Sequence, residues 1–328
     1  MDLVALLAIQ VFYAIASLAL MSVGLAIIFG MMKVINLAHG EFLMLGGYAA
    51  IQADRLGLSI WIAMLIVAPI VVGAIGIIVE RTIIRWLYGR MIDTMLATWG
   101  LSLFLVGLTT AIFGNTTVGL SAPLGSFEIG QYRTSAYTLF VIGVAIVVLG
   151  GVLAILRFTR LGLIARGTMQ NANMAAALGV NPNRVYSITF GAGAALTGLA
   201  GAIIAPVSGV FPTIGAAYVA KSFITVIGGG ASIVTGTTTA STLFGAVNQI
   251  ATYVTTPVFG EVALLAAAIV LISVLPQGIT VRFFRGSLCA RALSIVLDLR
   301  WSPWSGSRCL SLRLDCSIST SCSTSPST

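Results

Sequence analysis

Apolar residues run along this chain in blocks, not in the half-and-half alternation of a soluble helix or strand. The blocks fall at roughly 5–29, 37–53, 60–79, 94–113, 136–156 and 187–207. Residues 262–276 form another, and between them 216–256 is rich in Gly, Ala, Ser and Thr. Each block is near the ~20 residues that a bilayer-spanning helix requires. Alternating segments of about ten residues, the mark of a membrane β-barrel, are absent. The pattern predicts an all-α, polytopic transmembrane helical bundle of eight or nine passes, depending on how 216–256 divides. Broken or re-entrant segments are expected near 36–42 and 226–236, where polar or glycine-rich stretches interrupt the apolar blocks.

Composition agrees with the pattern. The chain has 328 residues, 58% hydrophobic and only 8% charged, against roughly 25% charged in an average soluble domain. The net charge of +8 would suggest nucleic acid in a soluble protein. Here the cations lie between apolar blocks, so they mark the cytoplasmic loops and no nucleic-acid partner is expected. Arg81, Arg85 and Arg90 form one cluster, Arg157, Arg160, Arg166 and Arg184 a second, and Arg282 and Arg285 open a third. The loop Gly114–Ser135, which carries only Arg133, is expected outside, as is the N-terminus. No basic run or small-residue cleavage site marks a signal peptide, so the first block reads as a retained helix.

Two regions are expected, 1–286 in the membrane and 287–328 as a tail. All four cysteines (Cys289, Cys309, Cys316, Cys322) and twelve serines lie in the tail. Its composition predicts poor order and suggests a frame shift near Gly286. The membrane body has no cysteine, so neither a disulfide framework nor a zinc site is expected there.

Three features carry candidate chemistry. Asn36, His39 and Glu41 interrupt an apolar run. Polar groups at membrane depth are costly and face a partner or a cavity, and a broken helix frees backbone groups for a solute. They are candidates for a pathway or its gate, against a purely structural turn. Gly228, Gly229 and Gly230, followed by Ala231 and Ser232, form the second break. A serine nucleophile there lacks a base, because His39, the one histidine, is far away in the chain. A glycine-rich turn is expected instead. Lys221, just before it, is expected to snorkel to the interface. The third feature is the basic loop 157–186, where a short helix over Gly167–Leu178 should end at Gly179 as its C′ glycine, with Pro182 soon after. It presents Met174, Ala175, Ala177 and Leu178, a face suited to docking on a soluble partner. In 187–207, Ala194, Gly198 and Ala202 form one ridge of small residues, and Gly193, Thr197, Gly201 and Ala205 the adjacent ridge, which lets helices approach closely in lipid. No phosphate-loop motif is present, so any ATP coupling must come from a partner.

Three stretches resemble the permease family of ATP-binding-cassette importers for branched-chain amino acids, with its urea and short-chain amide branch. They are GLAIIFGMMKVINLAHGEFLMLGGYAA (Gly24–Ala50), TMQNANMAAALGVNPNRVYSITFGAGAALTGLAGA (Thr168–Ala202), and SFITVIGGGAS with the later VLPQGI (Val274–Ile279). In the second, Ala175, Ala176 and Gly179 match the family's coupling loop, and Met174 stands where an acid is usual. Lys33 also departs from the pattern, which has a small residue there. LYGRMIDTMLATWG and TTPVFGEVALLAAAIVLI are closer to the urea branch. The resemblance spans about 5–285. It implies a multi-pass protein of the bacterial inner membrane that carries no cofactor and is itself no enzyme. It also implies two ATPase subunits docked on coupling loops that include Met174–Gly179, a second permease chain and a periplasmic solute-binding protein. The competing class is a self-sufficient channel for a small neutral solute such as urea, which the alanine-rich loop at 157–186 disfavours.

Overall fold

The structure is a computed structural model that describes residues 2–129, 132–230, 232–275 and 278–279. The tail 287–328, together with Ala231, Pro276 and Gln277 of the predicted motifs, lies outside the described residues. The order is α1 (Asp2–Met32), α2 (His39–Arg55), α3 (Ile60–Ile62), which runs through a π-helical turn at Ala63–Val67 into α4 (Ala68–Thr82), a 3-10 turn Ile84–Leu87, and α5 (Met91–Phe113). A hairpin of β1 (Ser126–Ile129) and β2 (Tyr132–Ser135) precedes α6 (Ala136–Phe158). Then follow α7 (Arg160–Gln170), α8 (Ala172–Ala177), α9 (Pro182–Ser208), α10 (Ile214–Gly229), α11 (Ile233–Val254) and α12 (Pro257–Val274).

The chain is a polytopic helical membrane protein. Six helical stretches are long and apolar enough to cross a bilayer, namely α1, α3–α4, α5, α6, α9 and α12. The pair α10–α11, bent by 113°, makes a seventh at most. The expected count of eight or nine included α2 and took 216–256 as one pass or two. With 17 residues, α2 lies at the short limit of about 17–25 residues for a span and is not among the six. The hairpin, paired from Ser126↔Ser135 to Ile129↔Tyr132, is an addition that apolar patterning does not register.

The bundle is organised around α9. Its apolar stretch is 72% buried, against 17% for those of α6 and α12. The two small-residue ridges explain why. Ala194 and Gly198 meet α4, where a Cβ at Gly76 would lie 2.5 Å from Ala194 and one at Gly198 2.6 Å from Val72. On the adjacent ridge, Gly193 meets Ile28 of α1, Thr197 meets Gly24, and Gly201 packs on the Leu43 carbonyl of α2. Close backbone contact of this kind replaces the hydrophobic effect that lipid does not supply.

Residues after α5 and after α9 are joined by reciprocal 2.9 Å backbone hydrogen bonds between Val118 and Val210. Both helices therefore run from a basic loop toward a common opposite face. This fits an inside placement of Arg81–Arg90 and Arg157–Arg184 and an outside placement of Gly114–Ser135.

Candidate functional site

The break between α1 and α2 begins at Lys33, whose φ of 53° is the one left-handed value among described non-glycine residues. Its N–H still donates to the Phe29 carbonyl, at 2.9 Å, and closes α1. Residues 33–38 are non-helical and return the chain to the level of Met21 in α1, where α2 starts. His39 opens α2, and its Nε2 donates to the Met21 carbonyl at 2.9 Å. Its Nδ1 faces the Thr197 hydroxyl of α9, 3.4 Å away. The break itself is tied to α5 through Leu37 N–H, which donates to Thr98 Oγ1 at 3.2 Å. Asn36 Oδ1 accepts from the Ala38 N–H at 3.1 Å. Glu41, in the first turn of α2, accepts from the Ser102 hydroxyl of α5 at 3.0 Å. A helix N-terminus favours such an acid.

Asn36, His39 and Glu41 are all buried. The structure brings the three together at the start of α2, between α1, α5, α9 and α10. Gly215 of α10 is essential to this closeness, because a Cβ there would lie within 2.7 Å of the Glu41 carboxylate, and Gly40 abuts the Gly215 backbone. Asn36 Nδ2 and Glu41 Oε2 have no hydrogen-bond partner among the described residues. Unpartnered buried polar atoms cost free energy, as do polar groups at membrane depth.

Gly228, Gly229 and Gly230 are not part of that cluster. They close the other end of α10, roughly 20 Å from Gly215 at 1.5 Å per residue. There they make a tight packed turn. Gly228 meets Phe244 and Leu271, Gly229 meets the Gly236 backbone, and Gly230 takes a φ of 83°. Ser232 accepts a 2.6 Å hydrogen bond from Thr235, and His39 is engaged elsewhere, so no serine–histidine pair forms. Lys221 does not simply snorkel. It makes a 2.7 Å ion pair with Glu261 at the start of α12.

The predicted single helix over Gly167–Leu178 is two helices, a correction with a local cause. Asn171 leaves the helical conformation and caps α8, its Oδ1 accepting from the Met174 N–H at 3.0 Å. The end of α8 is as expected. Gly179 has a φ of 88°, and the Gly179 and Val180 N–H groups return to the carbonyls of Ala176 and Ala175, each at 3.0 Å. Ala175 is buried against the bundle, while Met174 and Leu178 are 63% and 81% exposed, and Ala176 is exposed as well. The loop thus presents a short capped helix with an apolar outer face.

Sequence reasoning missed Glu80. It is fully buried at the inner end of α4, and its two oxygens accept from the hydroxyls of Tyr88 and Ser187. Burial first, then the Glu80 carboxylate, hold the Tyr88 hydroxyl well above its ordinary range, so Tyr88 remains a donor. The signal was present, because an acid next to Arg81 ends an otherwise apolar run, the criterion that singled out Glu41. Among the described residues no group of His, Cys, Asp and Glu could hold a metal ion.

Known proteins place this architecture. The family described as branched-chain amino acid transport system / permease component matches residues 7–275. The high-affinity branched-chain amino acid transport system permease protein LivH of Escherichia coli K12 is 28% identical over 277 residues, 80% of this chain and 90% of its own. The corresponding protein BraD of Pseudomonas aeruginosa is 28% identical over 244 residues, 69% of this chain and 79% of its own. A probable LivH of Methanocaldococcus jannaschii is 24% identical over 282 residues, 80% of this chain and 88% of its own. A solved chain of PsaBC from Streptococcus pneumoniae in complex with Fab aligns over 80% of this chain and 90% of its own, at 14% identity and a TM-score of 0.44. The chain belongs to the branched-chain amino acid transport permease family and is a multi-pass membrane component of such a system.

Proposed function

We propose that this chain is one membrane-spanning subunit of an ATP-driven importer in the bacterial inner membrane. It moves branched-chain amino acids, or urea and short-chain amides, into the cytoplasm. The names of the relatives favour amino acids. The amide reading rests on Leu87–Gly100 and Thr255–Ile272 alone. ATP is hydrolysed by separate subunits, a second permease chain completes the pathway, and a periplasmic binding protein delivers the solute.

The observation that carries this reading is α8. A capped six-residue helix with exposed Met174 and Leu178, set in a basic loop, has no role in a self-sufficient channel. As a docking element it passes the motion of an ATPase into α9, which it directly precedes. Asn36 in the break and His39 and Glu41 at the start of α2, with His39 facing Thr197 of α9, are where that motion would open or close the path. The permease is then the two-state element whose equilibrium the partners bias.

Reconstitution in liposomes tests this. The chain together with a second permease, two ATPases and a binding protein should accumulate labelled leucine only with ATP. Labelled urea in place of leucine separates the two substrates. Substantial flux through this chain alone, without ATP, would return it to the channel class.

A further inference from the structure

Two cavities adjoin near the inner end of α9. The first, of about 560 Å³, is lined by Arg81, Arg85 and Arg184 with Asn181, Asn183 and Ser187. None of the three arginines belongs to an ion pair among the described residues. The Glu80 carboxylate, hydrogen-bonded to Ser187, already accepts from two hydroxyls, and no carboxylate among the described residues lines the cavity, which leaves the cations in excess. The second cavity, of about 420 Å³, is an apolar groove between α1, α6, α7 and α9, lined by residues such as Ile27, Val152, Leu161, Ile164 and Ala192. Ile188, 61% exposed, lines both.

We propose that these cavities form one binding site for an anionic phospholipid of the inner leaflet. The phosphodiester sits among Arg81, Arg85 and Arg184, and one acyl chain passes Ile188 into the groove. The arginines cluster at the cytoplasmic end of the bundle, the depth of a headgroup, where basic side chains are attracted to an anionic surface. Arginine's planar donor fork suits phosphate oxygens. An acidic protein surface would match the three charges but would leave the apolar groove beside them unexplained. A lipid accounts for both, and Ile188 joins its two halves. The site touches α7 at Leu161 and Ile164, and α7 leads directly into α8, so an occupying lipid would brace the coupling element.

Native mass spectrometry of the full-length chain, exchanged into micelles containing dioleoyl phosphatidylglycerol or dioleoyl phosphatidylcholine, tests the proposal. The wild-type chain should retain phosphatidylglycerol in preference to phosphatidylcholine. The R81Q/R85Q/R184Q variant should lose that preference, and R81K/R85K/R184K, a control for folding, should largely keep it. Ala192→Trp, which fills the groove and leaves every charge in place, should reduce retention. Added inorganic phosphate should not displace the lipid. Equal retention of the two lipids by the wild type, or undiminished retention by the glutamine variant or by Ala192→Trp, would overturn the proposal. So would displacement by free phosphate, or loss of a co-purifying protein in place of lipid.

Discussion

Lys33 holds a left-handed backbone with a φ of 53°, a conformation that costs a side-chain-bearing residue about 1–2 kcal/mol. The side chain is exposed and makes no ion pair among the described residues. Lys33→Gly should therefore stabilise the chain by about 1 kcal/mol after the extra chain entropy of glycine is deducted, and so raise the thermal midpoint; a lower midpoint in a detergent melt would contradict the strain argument. Glu41 raises a different question, whether its carboxyl group serves packing or transport. Glu41→Gln keeps the shape and the Ser102 contact and removes the ionisable carboxyl group. Uptake by the complete assembly should fall about tenfold, the effect of about 1.4 kcal/mol, with the melting midpoint unchanged. Normal uptake would assign Glu41 to the packing of α2 on α10.

Among the elements, α9 holds the bundle together through absent side chains. Gly201 packs directly on the Leu43 carbonyl, so Gly201→Val must push α2 away. Overpacking of this kind costs about 1–3 kcal/mol, and the variant should melt lower and insert poorly; an unchanged melting curve would mean that the contact is slack. The end of α8 offers the opposite case. Gly179 has open space around it, so Gly179→Ile is penalised only through its φ of 88°, by about 1–2 kcal/mol. Because that strain falls on the C-terminal turn of α8, the variant should insert normally but retain less ATPase on co-purification. Equal recovery would remove α8 from the docking surface.

For the whole molecule the testable property is sidedness. Ser121, between α5 and the hairpin, and Asn173, on α8, are both exposed and are assigned to opposite faces. In a chain whose four cysteines are replaced by serine, Ser121→Cys should react with an impermeant maleimide in intact spheroplasts. Asn173→Cys should react only after the membrane is opened. Reversed labelling would invert the topology and with it the roles of the arginine clusters.

What the sequence determined by itself is what depends on local composition and spacing. Apolar block length determined the membrane class, and four-residue spacing of small residues the close-packed face of α9. The Gly179 stop was legible because a left-handed C′ position selects glycine. The split at Asn171 was half legible, since asparagine caps helices as readily as it interrupts them. What the tertiary structure alone decided are relations between residues distant in the chain. It showed that α2 begins beside Met21 and Thr197 rather than at the membrane edge, and that Asn36, His39 and Glu41 converge while Gly228–Gly230 stand apart. It paired Lys221 with Glu261, and it enclosed Glu80 between Tyr88 and Ser187. The physical reason is that in lipid a polar side chain is placed by the partner that satisfies it, and that partner comes from another helix which no periodicity identifies.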